Sequence, residues 1–248
     1  MLGLMGAMQE EVAHLREALA GVTTHRVGGR DYHVGTLDGR AVVLAFSRWG
    51  KVASASTATT MVDRFGATEL LFTGVAGAVD RGLKVGDIVV ADALYQHDLD
   101  ASPLFAPMEV PLLGEARMAV GREQVDRALR ASVLFRDRLG EHVEAAELSA
   151  LGVVSPSVHV GPIASGDQFV SSSAALERIA SLVPGVLCVE MEGAAVAQVA
   201  HEHGVPLTVV RVISDGAAEG AHVDFQRFID QVARRFTAGI VRAWLACV

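Results

Sequence analysis

Acids gather at a few points of this sequence, each just beyond an apolar run. Glu10 and Glu11 follow Leu2–Met5 and Gly6-Ala7-Met8-Gln9, and Asp167 and Phe169 follow Val158–Ser165. Glu190 and Glu192 follow Val186–Val189, and Ser214 and Asp215 follow Leu207–Ile213. A fifth run, Leu70–Thr73, ends in Gly74-Val75-Ala76-Gly77-Ala78, which has no long side chain. Two carboxyl groups in one site can divide acid and base work: one protonates a leaving group while the other activates water. Helix capping is the competing explanation. Acids are favoured in a first helical turn, and this alone accounts for Glu10, Glu11 and Glu192. Asp215 is poorly explained that way, because an almost wholly apolar run precedes it and Gly216-Ala217-Ala218 follows.

The elements that must position these groups alternate in type. Apolar runs read as strands at 2–5, 32–37, 41–46, 70–73, 87–91, 158–165, 186–189 and 207–213. Asp38-Gly39 between two of them is a hairpin signal. Helical spacing appears at 10–19, 53–65, 124–139 and 194–203, the last closed by Gly204. Asp224 is placed to cap a final helix reaching about Leu245, and 124–139 reads as charged and exposed. Residues 95–120, with Pro103, Pro107 and Pro111, read as irregular. This alternation predicts an α/β fold, three-layered αβα around a central twisted mixed β-sheet, in one domain over residues 1–248. In such sheets ligands bind beyond the carboxyl ends of the strands, where the acids emerge.

Composition narrows the functional classes. Of 248 residues 51% are hydrophobic and only 5% aromatic, which suits strands covered on both faces by closely packed helices. A net charge of −8 lacks the basic footprint that phosphate backbones require, so no nucleic-acid partner is expected. No apolar stretch is long enough to span a bilayer, and Met1–Met8 has no basic n-region, so no membrane partner is expected either. The two cysteines, Cys188 and Cys247, make no disulfide framework, and a cytoplasmic protein is expected.

Four segments in this order and spacing resemble a known family: Gly6-Ala7-Met8-x-Glu10-Glu11, Ser165-Gly166-Asp167-x-Phe169, Val189-Glu190-Met191-Glu192 and Arg211-Val212-Ile213-Ser214-Asp215. They are similar to the bacterial nucleosidases acting on 5′-methylthioadenosine and S-adenosylhomocysteine, within the nucleoside phosphorylase superfamily. The resemblance implies hydrolysis of an N-glycosidic bond, with Glu11 activating water and Asp215 protonating N7 of the adenine. Burial beside the purine would raise the Asp215 pKa as that role demands. The resemblance also implies that Glu192 grips the ribose hydroxyls, that Met191 walls the sugar and that Met8 takes part in substrate binding. Phe169 and Phe225 would sandwich the base or close the 5′ end, the Val170 backbone would read the adenine edge, and Ala76 and Gly77 would permit close approach. Ser214 and Arg211 would orient the acid and its loop. A homodimer with a place in methionine salvage is implied as well.

The segment Ser47-Arg48-Trp49-Gly50-Lys51 departs from the family pattern by adding bulk and charge where the 5′ substituent is expected. Trp49 would narrow that pocket, whereas Arg48 would attract a carboxylate. Val75 and the proline-rich 101–113 region depart as well. Gly74-Val75-Ala76-Gly77 lacks the three-glycine spacing of a dinucleotide loop, and His201 and His203 point apart on a helix. No metal and no organic cofactor are expected. Three alternatives stand beside the nucleosidase: a phosphorylase of the same fold, a hydrolase of aminodeoxyfutalosine, and a nucleoside-binding protein without turnover.

Overall fold

The chain is described by a computed structural model covering residues 1–153, 155–217 and 221–247, with the side chains at 221–224 and 231 outside that description. Among the described residues ten strands form: β1 (Leu2–Gly6), β2 (Ala20–Val27), β3 (Arg30–Leu37), β4 (Arg40–Phe46), β5 (Glu69–Ala78), β6 (Ile88–Gln96), β7 (Met118–Ala119), β8 (Val158–Ser165), β9 (Cys188–Glu190) and β10 (Leu207–Asp215). They form one mixed sheet. From β5 an arm runs outward through β1, β4, β3 and β2, while β5, β10, β6, β8 and β9 close on one another as a ring with β7 added to β6. β1 pairs in parallel with both β4 and β5, and β10 is parallel to β5. Those three pairings bring the carboxyl ends of β1, β5 and β10 to one edge.

Alternation along the central strands separates two apolar layers. Leu2 and Leu4 of β1, Val42 and Leu44 of β4 and Leu71 of β5 face one core with Phe135, Phe236 and Trp244. Met5, Val43, Ala45, Leu70 and Phe72 face the other, with Ala58, Met61 and Val196. Helices α1 (Gln9–Glu17), α3 (Arg122–Asp137) and α9 (Arg234–Ala246) cover the first face, with contacts between α1 and α9 and between α3 and α9. Helices α2 (Lys51–Asp63) and α7 (Gly193–His203) pack together over the second. Ser54, Thr57 and Ala58 of α2 and Ala194, Ala195 and Ala197 of α7 are buried, and their small size allows the close helix contact. Each fully buried large side chain contributes about 1.5–3 kcal/mol. Short helices α4 (Leu139–His142), α5 (Ala145–Ala150) and α6 (Ser173–Leu182) complete the outer layers.

Most element positions follow the sequence pattern, and the departures have local causes. The hairpin at Asp38-Gly39 forms with φ of +47° and +82°, and Gly204 ends α7 at φ +62°. β2 escapes the pattern because nearly all its residues are exposed and no alternation marks it. β5 runs past Gly74 to Ala78 because β10 and β9 pair with the glycine-rich stretch, so that stretch is strand and not a dinucleotide loop. α3 is not simply exposed: Ala128, Ala131 and Phe135 are buried along one stripe. The final helix starts at Ala221, ahead of the expected cap Asp224, whose side chain lies outside the description. It runs as α8 (Ala221–Phe228), a π turn at Ile229–Ala233, and α9. Within 95–120, β6 extends to Gln96 and β7 pairs with it, and the remainder is mostly turns.

Candidate active site

One cleft opens where these carboxyl ends meet. It takes in about 670 Å³ of space, part of it open to solvent. Met8, Trp49, Ala76, Gly77, Phe169, Val170, Met191, Glu192, Ser214, Asp215 and Phe225 all line it, so eleven of the thirteen residues named from the sequence converge there. The other two, Glu11 and Arg211, are completely buried and stand behind its wall.

Asp215 ends β10 and is 3% exposed. Its Oδ2 accepts the Ser214 hydroxyl at 2.8 Å and its Oδ1 accepts the Ala217 N–H at 2.8 Å, which fix the carboxyl orientation. Gly77 of β5 pairs with Asp215, and a Cβ there would stand 3.0 Å from Oδ1 and 2.7 Å from the Ala217 Cβ. Glycine is therefore required by close approach, and the Asp215 carboxyl rests directly on bare backbone.

The two acids of β9 and its exit do different work. Glu190 accepts the N–H groups of Glu192 and Gly193 and so caps α7. It also accepts the Ser165 hydroxyl, and it pairs with Arg211 Nη2 at 2.6 Å. Arg211, on β10, stacks over the Phe72 ring at 4.1 Å. Glu192, relieved of capping, turns into the cleft, where its Oε1 accepts the Gly50 N–H at 2.9 Å. Burial and the neighbouring Glu190 push the Glu192 carboxyl well above the usual carboxylate range.

Glu11 also caps: at the third position of α1 its Oε2 accepts the Met8 N–H at 3.1 Å. Capping and chemistry are compatible here, because Met8 lines the cleft and Glu11 lies one hydrogen bond beneath that floor. Its other oxygen accepts the Thr237 hydroxyl at 2.7 Å. Burial raises the Glu11 pKa to about 7, against the opposing pull of Thr237, the Met8 N–H and Arg211. On β5, Thr73 pairs with Gly6, five residues ahead of Glu11, and Gly77 pairs with Asp215.

Phe169 and Phe225 meet edge to face, with centroids 5.8 Å apart and planes at 78°. They make one continuous aromatic wall, not two parallel plates around an open slot. Trp49 lines the cleft and is 60% exposed, but the Arg48 guanidinium turns away to the Gly29 carbonyl. A partly exposed network secures this side: Lys51 Nζ pairs with Asp98 at 2.6 Å, Asp98 accepts the Asp167 N–H, and Asp167 accepts the Lys51 N–H. Thr237, Gln168 and this network escaped the sequence reading. A buried hydroxyl in the apolar run Phe236–Val241 was the one available sign of Thr237. His201 and His203 are exposed, and among the described residues no group of three or more His, Cys, Asp or Glu side chains is placed to hold a metal ion.

A profile of the phosphorylase superfamily matches residues 1–246. The chain belongs to that superfamily. Among superfamily members, a 5′-methylthioadenosine/S-adenosylhomocysteine nucleosidase of Anoxybacillus flavithermus is 36% identical over 94% of this chain and 92% of its own. An aminodeoxyfutalosine nucleosidase of Helicobacter pylori is also 36% identical, over 94% of this chain and 93% of its own. The crystal structure of the Neisseria meningitidis 5′-methylthioadenosine/S-adenosylhomocysteine nucleosidase in complex with methylthio-immucillin-A superposes with a TM-score of 0.87 at 33% identity, covering 100% of this chain and 99% of that one.

Proposed function

We propose that the chain hydrolyses the N-glycosidic bond of 5′-methylthioadenosine, S-adenosylhomocysteine or both, releasing adenine and the 5-thio-substituted ribose. The observation that carries this reading is the placement of buried Asp215 in the cleft with buried Glu11 beneath its Met8 floor. Cleaving the bond develops positive charge on the sugar and negative charge on the purine. Asp215, held by Ser214 and Ala217, delivers a proton to the base. Glu11, titrating near neutrality, takes a proton from water attacking the anomeric carbon. Glu192, which lines the cleft, hydrogen-bonds the ribose hydroxyls through its carboxyl oxygens. Phe169 and Phe225 cover the bound nucleoside, and Met191 and Met8 wall the ribose.

Water is favoured over phosphate as nucleophile by charge. Among the described residues lining the cleft none is cationic, Arg211 is committed to Glu190, and Arg48 points elsewhere. A phosphate site needs such donors. A second reading, hydrolysis of aminodeoxyfutalosine, is favoured by the 36% identity to the Helicobacter enzyme. A homodimer is proposed on the resemblance. Among the described residues no helix is long and apolar enough to cross a membrane. Adenine release from the three nucleosides in phosphate-free buffer tests the function. Turnover that requires phosphate, or no turnover on any of the three, rejects it.

A further inference from the structure

Thr237 is an anomaly on its helix. α9 buries Phe236, Ala238, Gly239, Ile240 and Val241, all apolar, and among them Thr237 is 2% exposed. A threonine inside a helix ordinarily returns its hydroxyl to a carbonyl one turn back. Here the hydroxyl reaches across the first core layer to Glu11 Oε1 at 2.7 Å. The partners lie 226 residues apart in sequence, so the bond exists only because the final helix packs on α1. The π turn at Ile229–Ala233 immediately precedes this segment. One inserted residue rotates the following helix by roughly 100° relative to an unbroken α-helix. Without the insertion, the position facing Glu11 would fall near Phe236, which has no donor.

We propose that Thr237 is a positioning residue for the general base: its hydroxyl orients the Glu11 carboxylate and stabilises the charged form. The inference rests on the assignment of Glu11 as the base. The remaining Glu11 oxygen is held by the Met8 N–H, so the two donors together fix both oxygens. The charged groups acting on Glu11 are Arg211 from β10, itself paired with Glu190 of β9, and Glu10 on α1. Among the described side chains of the π turn and α9, Asp230 bonds Gln226, Arg234 is exposed and Arg235 pairs with Glu147, while Thr237 reaches the carboxylate. Removing its hydroxyl leaves burial less opposed, so the base becomes harder to ionise.

The test is the pH dependence of kcat/KM for the full-length protein and for Thr237→Val, Thr237→Ser and Glu11→Gln, with thermal melts of each. Thr237→Val should move the midpoint of the acid limb upward by about one unit, a loss of about tenfold on the acid side that shrinks as pH rises. Thr237→Ser keeps the hydroxyl and should hold the midpoint in place. Thr237→Ala replaces the valine variant in the same comparison if valine does not fold. A hydroxyl-free variant with an unmoved acid limb overturns the inference, as does a serine variant shifted as far as valine. Glu11→Gln separates the two levels. Its inactivity together with an unmoved Thr237→Val profile removes Thr237 alone, whereas near-normal turnover by Glu11→Gln removes the base assignment and the inference together.

Discussion

Replacing Glu11 by glutamine should make the protein more stable at alkaline pH while removing its activity. Burial raises this carboxyl from 4.5 to about 7. Between those values the native state holds a proton that the unfolded chain has released, so stability is full below about pH 4.5 and declines as pH rises through about 7. Above that range the native state bears a buried charge costing about 3 kcal/mol relative to the protonated acid. Glutamine never ionises. It does present an amide group to two donors, the Met8 N–H and the Thr237 hydroxyl. One of these can no longer be matched as well, which costs about 1 kcal/mol. The net gain is about 2 kcal/mol at about pH 8.5, or about 4–8 °C in Tm for a chain of this size. At about pH 4.5 the advantage should vanish or reverse. Thermal melts of both proteins across that range are the assay. A Tm difference that does not vary with pH, or a variant less stable at alkaline pH, refutes the reasoning.

Other perturbations probe the remaining parts of the site. Asp215→Asn should lower kcat by about a thousandfold or more while an adenosine analogue still binds, as measured by calorimetry. Gly77→Ala places a methyl carbon 3.0 Å from Asp215 Oδ1 and should lower kcat by about a hundredfold, visible in steady-state kinetics with the fold intact by circular dichroism. Arg211→Met leaves Glu190 buried without its ion pair and should destabilise by about 3–5 kcal/mol, read by denaturant unfolding. Phe169→Ala opens the aromatic wall and should raise KM more than it lowers kcat.

How much of this was legible in the sequence varies with the kind of signal. β1, β4, β8 and β10 were readable because buried strands leave apolar runs, and the polar residues at their ends marked the cleft. β2 was not, since its exposed Thr-Thr-His-Arg stretch carries no alternation. The closing of β5, β10, β6, β8 and β9 into a ring depends on pairing between strands distant in sequence, which no local pattern records. The acids themselves were visible, and the resemblance implied roles for Glu11, Asp215 and Glu192 but none for Glu190. Glu190 and Glu192 are two residues apart in one segment, and only the structure shows that the first caps α7 and holds Arg211 while the second faces the cleft. Arg211 was named a site residue on the family resemblance, as orienting the acid and its loop, yet its partner is Glu190 inside the core. For Glu11, capping and proximity to the cleft coexist in one side chain, so the competing sequence explanations were never exclusive.

The central claim is that water, activated by Glu11 while Asp215 protonates the base, takes the place of adenine on the sugar. Turnover of 5′-methylthioadenosine in isotopically heavy-oxygen water, with phosphate present and the products weighed by mass spectrometry, tests it directly. The account predicts one heavy oxygen, at the anomeric carbon of the released thio-ribose, and unlabelled adenine. A sugar 1-phosphate, or a free sugar without the label, would contradict it.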